Sequence, residues 1–162
     1  MVRKNEFLSP TILRYTEVRS IIFGLTFGLC GTVWIFATHS FPFKGIYYQV
    51  PLSVAFGAWA AFVVADFLER RTYSFTLITL LALVIVLGRL IYEWPISGHG
   101  LLAALIAFLA PWSWLRLFSI AIIIQAFVTK LVQNAEPISV VYGILSGLAL
   151  AKLAHILNNL HR

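Results

Sequence analysis

Apolar runs of roughly 16–22 residues, parted by only a few polar ones, govern what this chain can become; each is long enough for a helix to cross a bilayer core of ~30 Å. Lipid accepts a backbone only when its amides and carbonyls are bonded internally, so such runs must be helices. Six are predicted, over residues 20–38, 47–67, 73–92, 98–111, 115–133 and 137–158. The fourth is short and stops at Pro111-Trp112-Ser113-Trp114. The expected fold is therefore all-α: a polytopic membrane protein, a compact bundle of six transmembrane helices. Residues 1–19 form a leading segment, 20–158 the membrane domain and 159–162 a tail. With 60% hydrophobic and 11% charged residues, the loops leave no room for a soluble domain.

Charge sets the orientation. Arg3, Lys4, Arg14 and Arg19 precede the first span, Arg70 and Arg71 follow the second, Arg116 follows the fourth, and Arg162 closes the chain. Alternating spans put all of these on one side, and positive charge accumulates in cytoplasmic loops, so both termini are expected inside. Lys44, Arg89 and Lys130 fall on the poorer, outer side. Tyr47, Tyr48, Tyr92 and Trp94 would form an outer aromatic belt, and Tyr15, Tyr73, Trp112 and Trp114 an inner one. The net charge of +6 is thereby explained without a nucleic-acid partner. Met1 to Arg19 is charged and irregular, so no cleavable signal peptide is expected. The single cysteine, Cys30, offers neither a disulfide framework nor a thiolate metal site.

Small residues four apart mark faces along which helix backbones can approach closely. Gly24 and Gly28, then Gly57, Ala61 and Ala65, then Gly143, Gly147 and Ala151 follow this pattern and are expected to turn inward.

The polar groups of the last four spans gather at one level. On the outer side stand Arg89 and Glu93, Ser97, Gly98 and His99, then Thr129, Lys130, Gln133 and Asn134, then Glu136 and Ser139. Ionisable residues beside a span are costly and are usually paired or functional. Arg89 and Glu93 have the i,i+4 spacing of a helical ion pair, and Lys130 can snorkel. Taken together, the set suits an anionic ligand. Ser97-Gly98-His99 at a helix start offers backbone amides and the positive dipole end. Arg89 and Lys130 would neutralise phosphate oxygens, and His99, with an ordinary pKa near 6.5, could protonate a leaving group.

With those residues in place, the last four spans resemble the type 2 phosphatidic acid phosphatase superfamily of membrane proteins. Its middle motif is Pro-Ser-Gly-His at the start of the fourth span; Pro95-Ile96-Ser97-Gly98-His99 matches it with one inserted residue. The resemblance implies that Ser97 and Gly98 bind phosphate, that His99 acts as the acid, and that Lys130 takes the place of the phosphate-binding Arg in the third motif. No histidine stands at the nucleophile position, so Glu136 would have to act as nucleophile or as base for water. The first motif is reduced to Arg89. Glu93 to His99 is also similar to a stretch of undecaprenyl pyrophosphate phosphatases, which points to the same substrate class. The ligand implied is a membrane lipid phosphate or an isoprenoid pyrophosphate, bound at the outer face and, if Glu136 and His99 act together, hydrolysed there, with no cofactor. An accessory subunit, its small-residue faces meeting membrane protein partners, is the alternative. A metal on His99 with Glu93, Glu136, His155 or His39 fits poorly, because His155 lies near the far end of the sixth span. Asp66 and Glu69 are expected to pair with Arg70 and Arg71 at the inner surface.

Overall fold

Proline and glycine punctuate the helices. A computed structural model describes residues 10–38, 42–70, 73–133 and 137–160. It holds six helices: α1 (Pro10–Thr38), α2 (Pro42–Arg70), α3 (Ser74–Tyr92), α4 (Gly98–Leu109), α5 (Ser113–Val132) and α6 (Ile138–Leu160). Pro10 and Pro42 each open a helix, where the missing N–H is no loss. Ala110 ends α4 with φ −59° and ψ 136°, because a residue before proline is pushed out of helical backbone. α1 reaches back to Pro10, so Arg14 and Arg19 belong to the helix; Arg19 lies over the ring of Tyr15, 4.2 Å from its centroid.

Among the described residues, four helical stretches are long and apolar enough to cross a membrane: Arg14–Thr38, Gln49–Leu68, Ser113–Val132 and Ile138–Asn159. The expected six spans are thus six helices of unequal length. α3 has 19 residues. α4 has 12 residues, about 18 Å at 1.5 Å per residue, well short of a bilayer core. Its length is fixed by Ser97 at one end and Pro111 at the other. Arg116 closes the second end, its Nε–H donating to the carbonyl of Ala110.

This short helix sits at the centre. Gly98 and every residue from Gly100 to Ile106 are buried, with α2, α3, α5 and α6 packed around. α4 and α6 run parallel, since successive residues of α4 meet successive residues of α6. A Cβ on Gly100 would lie 2.8 Å from the carbonyl oxygen of Val140, one on Gly143 would overlap the carbonyl of Ser97, and one on Gly147 would lie 2.5 Å from that of Leu101. Backbone therefore touches backbone along this seam. Among the described residues α1 packs on α2 alone, antiparallel, with Gly24 against Val54 and Ala58 and Gly57 against Phe27. The glycine stripes read from the sequence do turn inward, whereas Cys30 is exposed.

Between α2, α3 and α5 lies an aromatic core. Phe62 packs its ring 5.3 Å from Trp59, 5.8 Å from Phe75 and 5.5 Å from Trp112. The indole N–H of Trp59 donates to Thr79 Oγ1 at 3.0 Å, and that hydroxyl donates to the carbonyl of Phe75 at 2.7 Å. Inside lipid, such packing and hydrogen bonding hold helices together, because tails are as apolar as the side chains.

Gly143→Ala should lower stability by about 1–3 kcal/mol through forced separation of α4 and α6. Gly31→Ala should be nearly neutral, since its Cβ would meet only the Ser53 hydroxyl at 3.3 Å. Unfolding of the two variants in mixed micelles checks the contrast.

Candidate functional site

The start of α4 places the residues that drew attention in the sequence. Ser97 is the N-cap: its backbone is extended and its Oγ accepts the N–H of Gly100 at 3.3 Å. Its own N–H donates to the carbonyl of Ser139, at the start of α6, at 2.8 Å. Of the four amides that open the helix, those of Ser97 and Gly100 are thus engaged, and Ser97 is 3% exposed. Gly98 is buried against α3, where a Cβ would lie 3.3 Å from Val86. His99 is half-buried and has a partner. The Ser-Gly-His segment is first of all a joint between α4, α6 and α3.

Two cations stand on the helices that neighbour this joint. Arg89 stands three residues beyond Val86, on the side of α3 that meets α4, and is half-buried. Lys130 is half-buried in the last turn of α5, four residues past Ala126, which is 1% exposed. Since α5 returns antiparallel to α4 through a loop at residues 110–112, its last turn comes back to the end where α4 begins. The hydroxyl of Thr129 is spent within the helix, on the carbonyl of Gln125 at 2.7 Å. Ser139 is half-buried and also has a partner. Asn134 and Glu136 lie outside the described residues, as do His39 and His161. Glu93 is exposed and leaves the helix with left-handed backbone, so it does not continue the helical spacing from Arg89. His155 lies about 20 Å along α6 from the level of His99 and is exposed.

The opposite end, where α4 stops, holds what the sequence reading overlooked. Asp66 was expected to pair with Arg70 and Arg71 at the inner surface; it has a partner and is buried, at 2% exposure. The side chains of Arg70 and Arg71 lie outside the described residues. The signal was the spacing Ala55, Trp59, Phe62, Asp66, which puts the carboxylate on the core-facing stripe of α2. Around that end lie Ser20 Oγ, Ser74 Oγ, Thr76 Oγ1, Ser119 Oγ and the indole nitrogens of Trp112 and Trp114, all buried and without a hydrogen-bond partner among the described residues. Other helix hydroxyls bond the carbonyl four residues back: Thr26 to Ile22 at 2.9 Å, Thr32 to Gly28 at 2.8 Å, Ser53 to Gln49 at 3.0 Å. Ser20 and Ser119 have that option and do not take it.

No family model, curated protein or solved structure matches this chain. Its chemistry therefore has to be argued from the site.

Ser97→Ala should lower stability by about 1 kcal/mol, the usual worth of an N-cap, as read from thermal unfolding in detergent. Asp66→Ala should lower it by about 1–3 kcal/mol, because buried donors lose their acceptor. An Asp66→Ala protein as stable as the parent would show that the carboxylate supports nothing.

Proposed function

We propose that the chain is a cell-membrane protein, with both termini cytoplasmic, that binds the phosphate of a membrane lipid or an isoprenoid pyrophosphate at the end where α4 begins. The observation that carries this reading is the setting of the α4 N-terminus. Its positive dipole end lies against α3 at Val86, three residues before Arg89, and α5 runs back toward the same end with Lys130 in its last turn. Helix starts favour anions through their dipole, and a guanidinium and an ammonium would add charge-assisted bonds. The cation-poor loops at this end favour the outer leaflet by the positive-inside rule.

Binding is better supported than turnover. Hydrolysis needs His99 to protonate the leaving oxygen while Glu136, or water activated by it, attacks phosphorus. Two of the four amides opening α4 already serve the fold, which leaves the site less suited to a developing oxyanion than to a resting phosphate. The accessory-subunit reading draws support from α1, which meets α2 alone and bears exposed Phe23, Leu29, Val33 and Trp34 elsewhere. A partner that co-purifies in mild detergent and is lost when Leu29 and Val33 become glutamine would favour it.

Arg89→Gln and Lys130→Gln should each weaken binding of a short-chain polyprenyl pyrophosphate by about tenfold, the effect of one charged hydrogen bond. Titration of purified protein in detergent measures this. Unchanged affinity in both variants would sink the phosphate reading. Release of inorganic phosphate that disappears in His99→Ala would extend the function from binding to hydrolysis, and its persistence there would exclude His99 as the acid.

A further inference from the structure

Among the described residues, Glu93 is the one non-glycine with positive φ, at φ 52° and ψ 33°. It ends α3. Glycine or asparagine fills such a left-handed cap at little cost, whereas a longer side chain strains it. Here the position carries an exposed carboxylate. Strain of this kind persists where the surroundings enforce it, and it clusters at binding sites.

The surroundings are aromatic. The left-handed turn folds Trp94 back onto Tyr92, with ring centroids 6.0 Å apart and planes 23° from parallel. Both rings remain open to the outside, Tyr92 at 68% and Trp94 at 44% exposure. The inner edge of the indole rests on Gly88, with Cζ3 3.4 Å from where a Cβ would stand, so the pair is braced against α3. Aromatic faces, a carboxylate and the negative end of a helix dipole all attract a cation. Interfacial anchoring accounts for the two rings, but it does not account for an acid between them in a strained conformation.

Arg89 lies four residues back, about 6 Å deeper along the axis. The anion-binding group is thus on the inner side and the cation-binding group on the outer side. Zwitterionic phospholipids present their charges in that order, phosphate next to the glycerol and amine beyond it. An isoprenoid pyrophosphate has no amine to offer. We infer that the turn between α3 and α4 is a headgroup site for a zwitterionic phospholipid. Its phosphate lies on Arg89, and its ammonium lies between Glu93 and the Tyr92–Trp94 rings. This inference rests on the phosphate reading of Arg89 and names the ligand class for it.

Retention of lipid by the purified full chain, measured by native mass spectrometry after exchange with phosphatidylcholine, phosphatidylethanolamine or phosphatidylglycerol, tests it. The parent should retain one or both amine lipids about tenfold over phosphatidylglycerol. A choline preference would put the ring faces foremost, and an ethanolamine preference the carboxylate. Glu93→Asn suits left-handed backbone, so it should fold at least as stably; it should abolish the preference while leaving phosphatidylglycerol retention unchanged. Arg89→Gln should weaken retention of all three lipids. Equal retention of the three by the parent, or a preference that survives Glu93→Asn, overturns the headgroup assignment and leaves the phosphate reading standing. Failure to retain any of them also overturns the headgroup assignment, and the phosphate reading then stands or falls on the polyprenyl pyrophosphate titration.

Discussion

The seam between α4 and α6 is the contact from which the rest of the arrangement follows. Gly100, Gly143 and Gly147 bring backbone against backbone, close enough that a single Cβ at any of them meets a carbonyl oxygen. Two parallel helices so close leave no space for a helix between them, so the chain connects them through α5 on the outside. The same closeness lets the N-cap of α4 bond to the carbonyl of Ser139. α4 can therefore be short. It need not reach both surfaces, because its neighbours cover it and side chains close its two ends: Ser97 at the start and Arg116 at the finish. A half-length helix with a positive end held at depth is the usual way for a membrane protein to offer an anion a binding surface.

Much of this was legible in the residues. The spacing of small residues gave the faces that meet, because close approach requires the absence of side chains and only glycine, alanine and serine provide it. Pro111 gave the end of α4, since the residue before a proline leaves helical backbone. The partner of each glycine face was not legible. Gly100 stands four residues before Ala104, but that spacing does not name α6 as the helix both of them meet. Ser97 has a structural role that its place before a glycine did not suggest: its hydroxyl caps α4 and its amide bonds to the carbonyl of Ser139 on α6.

Asp66 and Glu93 show the limits in another way. Both are acids near an arginine, and sequence proximity suggested pairing for each. For Asp66, the helical period matters besides proximity: eleven residues from Ala55, it comes round to the buried stripe, while the side chains of Arg70 and Arg71 lie outside the described residues. For Glu93, the end of the helix mattered more, because left-handed backbone swings the side chain away from the turn that holds Arg89. The protein consequently has two polar ends of opposite character. One holds the start of α4 with Arg89 and Lys130 on the neighbouring helices; the other encloses hydroxyls, indoles and a carboxylate within the packing.

α1 leans on α2 and on no other helix among those described. Chains are made from the N-terminus onward, so this pair can close its own glycine interface as a hairpin while the central helix is still on the ribosome. Membrane insertion then proceeds in two instalments, an early hairpin and a later four-helix unit, and the first is complete without information from the second. A defect in α1 should consequently surface during biogenesis, well before it could disturb the end where α4 begins.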